Sequence, residues 1–277
     1  MAGIVAMLRS GLSTDSYYTS MNEALKQLKD EYTMLHYPYY VGEDDDFMTA
    51  QKNLTDFCLS CLPSMQGKSF LEIGCGNGIQ SMYIYEKESP SFAKGIDLNI
   101  DNIKIARSEA AKRGLEHIEF EAGDAQNMSS IPDQSFDFIV NIESAFHYPD
   151  KKAFLHEIAR VLKPGGHFVI ADILKNPSRK RRVRKLWKRN MHLNHWEKKT
   201  YERELENSKL KVENYQDITE KVIRSFKRYP LWLKTMHKKN FFHNQKMKLF
   251  YTINIRLNIR LLKKRRRYVV FSGVKAA

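Results

Sequence analysis

The sequence predicts an α/β protein: a doubly wound, mostly parallel sheet with helices on both faces and a helical cap inserted in the C-terminal part. Three observations predict it. Between Ser69 and Leu174 five short apolar runs alternate with helical stretches, as expected for parallel strands buried on both sides. The first run leads into a glycine-rich turn. Beyond Leu174 the chain changes to Arg/Lys-rich segments that carry an apolar stripe of helical period.

Taken in order, Met21 to Tyr32 reads as a helix, followed by the aromatic cluster His36-Tyr37-Pro38-Tyr39-Tyr40 and an acidic loop, Glu43 to Asp46. No core strand is visible there. The apolar runs are SFLEI from Ser69, AKGIDL from Ala93, IEFEAGD from Ile118, FDFIVNI from Phe136 and HFVIADIL from His167. Lys163-Pro164-Gly165-Gly166 stops the helix before the fifth run, since proline cannot continue it and glycine accepts a left-handed backbone. In the cap, Val183, Leu186, Trp187 and Met191 fall at helical spacing. Leu210 to Ile218 reads as a further strand. A long helical stretch then carries Trp232, Phe241, Phe242, Phe250, Ile253 and Leu257, and Tyr268 to Val274 closes the chain as a β segment. The expected units are a helical and aromatic lid over residues 1–66, a ligand-binding core over 67–174, and a basic helical cap with the last sheet strands over 175–277.

Composition narrows the class. At 277 residues, 42% apolar and 28% charged, the chain has the profile of a globular protein with one elaborated domain. No apolar run approaches the roughly 20 residues that cross a bilayer. The opening MAGIVAMLRSG lacks a basic leader and is too short for a secretory segment. A cytoplasmic protein is expected, with a peripheral membrane location as the variant. Cys58, Cys61 and Cys75 cannot build a disulfide framework. Cys58 and Cys61 form a CxxC without the second pair that structural zinc needs, and with Leu54, Phe57 and Leu62 they read as buried residues of a helix. No ligand spacing calls for a metal. The net charge of +14 conceals an asymmetry: residues 1–172 carry 15 Lys+Arg against 25 Asp+Glu, residues 173–277 carry 31 against 7. The basic part is either a solvated face or a surface for phosphate, anionic lipid or an acidic carrier protein.

The densest motif is Leu71-Glu72-Ile73-Gly74-Cys75-Gly76-Asn77-Gly78. A dinucleotide turn reads G-x-G-x-x-G, yet position 79 is Ile79 and the third glycine comes one residue early. Glu72 points the same way, because an acid beside the turn repels a diphosphate and suits a cationic ligand. Asp97, ending the second strand some twenty residues later, is placed to accept ribose hydroxyls. Asp124 and Ala125 end the third strand, where a carboxylate and a backbone N–H can read an adenine edge, and Asn141 ends the fourth. In an open α/β sheet all of these meet in one crevice at the carboxyl ends of the strands.

With LEIGCGNG, GIDL, GDAQ and FDFIVNIES in this order over Ser69 to Asp172, the chain resembles the class I S-adenosylmethionine (SAM)-dependent methyltransferases. The resemblance implies a Rossmann-like, seven-stranded sheet with the last strand antiparallel and SAM as cofactor. It implies that Glu72, Gly74 and Gly76 surround the methionine part, Asp97 the ribose, and Asp124 with Ala125 the adenine; Cys75, Leu98, Asn141 and Tyr40 are further candidate cofactor contacts. The stretch NIESAFHYPDKKAFLHEIARVLKPGGHFVIADI is most similar to the small-molecule and lipid branch, which includes tocopherol, sterol, quinone, phthiotriolone and sugar O-methyltransferases, and Tyr215-Gln216-Asp217-Ile218-Thr219 resembles a later strand of that branch. Natural-product or lipid biosynthesis is the expected setting.

Methyl transfer is an in-line displacement in which the enzyme positions the nucleophile and, for a hydroxyl, removes its proton. His147, following the fourth strand, is the candidate base, since imidazole titrates near neutrality. Asp172, at the end of the fifth strand, is the candidate that orients it, as a matching His and Asp do in the sugar O-methyltransferases the chain resembles. The plainer reading is that His147 caps or packs and Asp172 is a loop acid. The aromatic cluster, with Tyr39 or Tyr40 near the methyl donor, is expected to fold over the cofactor or else to pack in the core. Trp187, Trp196, Trp232, Phe241 and Phe242 either line an apolar acceptor pocket or belong to the core. The expected acceptor is a small or lipid-like molecule methylated on O or C, free, on an acidic acyl carrier protein, or at an anionic membrane surface. RNA methylation through the basic cap is the rival enzyme reading, disfavoured because the N-methylating [DNS]-P-P-[YFW] signature is replaced by Asn141-Ile142-Glu143-Ser144. A nucleotide-dependent oxidoreductase is disfavoured by the glycine spacing. The non-enzymatic rival is a SAM-binding protein that docks on membranes.

Overall fold

The structure, a computed structural model, describes residues 22, 32–176, 193–237 and 245–276. Its elements in chain order are α1 (Phe47–Leu59), β1 (Ser69–Ile73), α2 (Ile79–Glu88), β2 (Phe92–Asp97), α3 (Ile100–Lys112), β3 (Ile118–Ala122), β4 (Phe136–Ile142), a 3-10 turn (Ala145–His147), α4 (Lys151–Val161), β5 (Leu162–Lys175), α5 (Lys198–Asn207), β6 (Leu210–Asp217), α6 (Thr219–His237), α7 (Gln245–Lys264) and β7 (Arg266–Lys275). One seven-stranded sheet has the order β3-β2-β1-β4-β5-β7-β6. The first five strands are parallel and β7 runs antiparallel between β5 and β6.

Local chemistry accounts for the element ends. Asp46 caps α1 by accepting from the Thr49 N–H, Asn99 caps α3 through the Asp101 and Asn102 N–H groups, and Asp150 caps α4 through those of Lys152 and Ala153. Along β1, Phe70 joins the core on one face and Leu71 that on the other, the period of two that buries a parallel strand on both sides. One face packs Met82 of α2, Ile103 of α3 and Leu54 of α1; the other packs Phe154, Leu155 and Ile158 of α4 with Tyr201 and Leu205 of α5.

Most expected strands coincide with observed ones, and two details differ. β5 begins at Leu162, before the Pro-Gly-Gly sequence, because Leu162 already pairs with Phe136 and the register is then reset between Phe136 and Phe138. The long helical stretch after β6 is two helices, α6 and α7, packed on each other. The helix expected around Val183 to Met191, with Trp187, and the residues Phe241 and Phe242 lie outside the described residues, as does most of the helix from Met21. Strand order reverses between β1, which leads to β2 on one side, and β4 on the other, so a crevice opens at the carboxyl ends of these two strands.

Candidate active site

β1 delivers the chain into Gly74-Cys75-Gly76-Asn77-Gly78, where all three glycines hold positive φ (73°, 54° and 75°). The N–H groups of Gly74 and Cys75 donate to the Ile96 carbonyl at 2.8 and 2.9 Å, which pins the turn to the end of β2. Gly74 has no room for a side chain: a Cβ there would lie 2.4 Å from Ser144 Oγ and 2.7 Å from the Tyr148 hydroxyl. The turn, the ends of β2, β3 and β4, and the segment Met34 to His36 enclose a cavity of about 310 Å³.

Among the described residues four carboxyl side chains, Glu72, Asp97, Asp124 and Glu143, line this cavity, and neither Lys nor Arg does. Glu72 is 2% exposed and accepts a hydrogen bond from Ser81 Oγ at the start of α2; burial pushes its carboxyl up to about 8. Asp97 accepts from the Gly76 N–H at 3.0 Å and the Asn99 N–H at 2.9 Å. Asp124 accepts from the backbone and side-chain amides of Gln126, both at 2.9 Å. Glu143 holds a left-handed backbone (φ 56°), rare for a side chain of its size. Its Oε1 accepts from the Tyr37 N–H at 2.9 Å and the Tyr268 hydroxyl at 2.8 Å, and burial pushes this carboxyl up to about 8 as well.

The cavity is roofed by the N-terminal segment. Asn77 Nδ2 donates to the Thr33 carbonyl and to Asn22 Oδ1, each at 2.8 Å, and Asn22 Nδ2 donates to Asn102 Oδ1 at 2.7 Å. Asn102 in turn donates to Asp97 Oδ1 at 3.2 Å, so a chain of amides links the roof, the glycine turn and the carboxylate at the end of β2. Behind Met34 and His36, Gln51 donates to both of their carbonyls. His36 itself is neutral at physiological pH, its imidazole pulled down to about 4 by burial.

The cavity brings together Glu72, Gly74, Cys75, Gly76, Asp97, Leu98, Asp124, Ala125 and His147. Three expected residues lie elsewhere, each for an identifiable reason. Asn141 is fully buried one layer below, where its amide donates to the Ile73 carbonyl at 2.8 Å and Ser144 Oγ at 2.6 Å; it braces the floor. Tyr40 turns away toward α6: its N–H donates to Ser225 Oγ at 3.0 Å and the Arg228 guanidinium lies 4.5 Å from its ring centroid. Asp172 shares a sheet face with Ile170 and Leu174, and its carboxylate is taken by Lys151 Nζ at 2.6 Å, both side chains being fully buried. Trp196 is likewise not at the cavity; it lies against Tyr201 over that ion pair.

The expected His147–Asp172 couple is therefore replaced by a Lys151–Asp172 pair. His147 stays at the cavity rim on the 3-10 turn, its ring 4.3 Å from that of Phe146. Cys58 is buried on α1, whereas Cys61 follows that helix and is partly exposed. Sequence reasoning placed Glu143 only within Asn141-Ile142-Glu143 at the end of the fourth strand, without a role, and missed Gln80 and Tyr148. The signal for Glu143 was a carboxyl closing an apolar strand in FDFIVNIE; Gln80 gave none.

Gln80 bears on what the cavity can hold. It is 5% exposed, lines the cavity at the first turn of α2, and its Nε2 has no hydrogen-bond partner among the described residues. A buried donor without an acceptor is costly, and a ligand carboxylate beside this helix N-terminus would satisfy it. With acids around the rest of the cavity, the donor set fits an amino-acid nucleoside with a cationic centre, and SAM is such a molecule. Glu72, the glycine turn and Gln80 would hold the methionine part, Asp97 the ribose and Asp124 with Ala125 the base.

A family model described as a methyltransferase domain matches residues 64–221, more than half of the chain. The fatty-acid O-methyltransferase of Mycolicibacterium smegmatis is 42% identical over 108 residues, 39% of this chain and 38% of that protein. The phthiotriol/phenolphthiotriol dimycocerosates methyltransferase of Mycobacterium leprae is 39% identical over 117 residues, 42% of this chain and 41% of that one. The matched segment thus spans about two-fifths of each of these relatives. Among solved structures, geranyl diphosphate C-methyltransferase from Streptomyces coelicolor A3(2), in complex with Mg2+, geranyl diphosphate and S-adenosyl-L-homocysteine, superposes with a TM-score of 0.74 over 95% of this chain and 96% of that chain. At 13% identity that likeness is one of fold.

Proposed function

This chain belongs to the SAM-dependent methyltransferase family, and we propose that it transfers the methyl group of SAM to an oxygen or carbon atom of a small hydrophobic or anionic acceptor of lipid or natural-product type. The observation that carries the reading is the cavity lining, which among the described residues has four carboxyl side chains, no Lys or Arg, a glycine turn and a Gln80 amide nitrogen without a partner. A diphosphate is repelled by such a lining and a sulfonium is held by it. The acceptor class is supported by the two partial relatives, whose names place a fatty acid and phthiotriol dimycocerosates as their substrates.

The cofactor supplies an electrophilic methyl group. As the acceptor atom bonds to the methyl carbon, the carbon–sulfur bond breaks and its electron pair stays on sulfur, so the positive charge is discharged. The chain's part is to align the acceptor and to take the proton that a hydroxyl loses. His147 is the residue we place in that role, with Glu143, a buried cavity-lining carboxyl pushed up to about 8, as the second proton acceptor. The roof of Met34 to His36 limits water at the site. An acidic acyl carrier protein or an anionic membrane can present an acceptor of this class, and the basic C-terminal part attracts either.

Titrating SAM calorimetrically against the wild type and Asp97→Ala tests the cofactor assignment. The variant should bind at least about tenfold more weakly, as expected for loss of a charge-assisted hydrogen-bonding carboxylate; equal binding, or none by either protein, refutes it. Incubating the protein with radiolabelled methyl donor and fatty acids, hydroxylated lipids and prenyl compounds identifies the acceptor.

A further inference from the structure

α7 is amphipathic in an unusual sense. Its inner side is committed to the protein: Ile255 and Leu262 are buried, Ile259 packs on the same core, and Asn258 Oδ1 accepts from the Tyr37 hydroxyl at 3.4 Å. Its outer side exposes Ile253 (50%) and Leu257 (38%), one turn apart. Around them stand Arg256, Arg260, Lys263 and Lys264, all exposed. At 100° per residue, Ile253, Leu257, Arg260 and Lys264 fall within one narrow sector opposite Ile255 and Ile259. α7 contains no Asp or Glu, and none of the four cations is ion-paired among the described residues.

We propose that this outer face of α7 docks the protein peripherally on an anionic lipid bilayer. Charge complementarity alone would equally serve a nucleic acid, but the two exposed aliphatic side chains gain nothing against phosphates. A bilayer interface takes both: aliphatic groups enter the acyl boundary while Arg and Lys lay their stems along it and keep their charges among the head groups. The helix also bears on the cavity. Tyr37, which bonds Asn258 of α7, gives its N–H to Glu143 and follows directly on the roof residues Met34 to His36. Docking through α7 therefore sets the roof segment close to the membrane, where a lipid-like acceptor would be taken up. In that respect the proposal rests on the acceptor reading above, although membrane binding itself is measured without methyl transfer.

The test is sedimentation of the purified full chain with vesicles of phosphatidylcholine alone and of phosphatidylcholine mixed with phosphatidylglycerol. Binding is expected to the mixed vesicles only and to fall with added salt. Arg256→Glu/Arg260→Glu and, at unchanged charge, Ile253→Ser/Leu257→Ser should each weaken it by about tenfold or more. Lys104→Glu/Lys112→Glu makes the same charge change on the exposed face of α3 and should weaken it by less than about threefold. Absence of binding to the mixed vesicles, or an equal loss in the α3 variant, overturns the proposal. So does binding that ignores Ile253→Ser/Leu257→Ser, which would mark a surface for polyanions such as RNA, and so does a dimer that these serines dissociate, which would mark a self-association face. SAM affinity measured on the same proteins keeps the two readings apart: vesicle binding without SAM binding strikes only the catalytic one.

Discussion

Glu72 is enclosed at the end of β1, and because burial lifts its carboxyl to about 8, most of it carries a proton at neutral pH. A cation placed beside it reverses that preference. Binding of SAM should then release up to about one proton at pH 7 and tighten as pH rises toward 8; calorimetry in two buffers of different ionisation heat measures the release directly. Glu72→Gln should abolish it, and a proton count unchanged by that substitution would assign the release to another group. His147 makes a different prediction. His147→Ala should lower kcat by about 10²-fold or more with SAM affinity nearly intact, whereas an unchanged kcat would leave Glu143 as the proton acceptor. Asp172 belongs to stability. Its partner Lys151 is buried with it beneath Trp196 and Tyr201, and removing one member of such a pair costs about 3–5 kcal/mol. Asp172→Asn should therefore lower Tm by about 10 °C, and Lys151→Met with Asp172→Leu should recover much of that loss; a melting point unmoved by Asp172→Asn would contradict the burial.

Among the elements, β1 and β4 coincide with SFLEI and FDFIVNI because a strand buried on both faces must be apolar nearly throughout, and such a run is visible without any partner. The glycine turn was legible for a similar reason: its constraint is local backbone geometry. What could not be read is whatever depends on a distant partner. Tyr40 looked like a cavity residue until Arg228 and Ser225, far along the chain, drew it to α6. Asp172 reads as catalytic from its place at the end of the fifth strand; its actual partner, Lys151, comes from the helix before that strand, and hydropathy gives no hint that a lysine at a helix start is fully buried. Asn22 is the sharpest case, one amide from the first helical stretch that bridges Asn77 and Asn102 across the roof. Asn22→Ala leaves those two amides short of a partner and loosens the roof. It should weaken SAM binding by about tenfold, the worth of one or two buried hydrogen bonds, while leaving the sheet's stability unchanged; an unaltered affinity would show that the roof holds without it.

For the molecule as a whole, the acids that serve the cavity are a liability when it holds no cation. Glu72 and Glu143 both titrate near 8 in the fold against 4.5 for an ordinary glutamate. The native state thus holds protons that the unfolded chain has already lost, and stability drains away as pH rises from about 4.5 to about 8. His36 works in the opposite sense: with its imidazole lowered from 6.5 to about 4, the unfolded chain binds the extra proton and stability rises over that lower interval. The two effects oppose each other in mild acid and separate above about 6.5, where the two carboxyls still titrate and the imidazole no longer does. Tm of the ligand-free protein should accordingly fall between pH 6.5 and about 8, by several degrees, since each tenfold change in proton affinity is worth about 1.4 kcal/mol. Glu143→Gln should flatten the slope in part and Glu72→Gln with Glu143→Gln nearly abolish it. Saturating SAM should flatten it as well, because a bound cation lets Glu72 ionise without penalty. A melting point that rises with pH over this interval, in the absence of ligand, would mean that the buried carboxyls are ionised already and that the cavity carries its negative charge at rest.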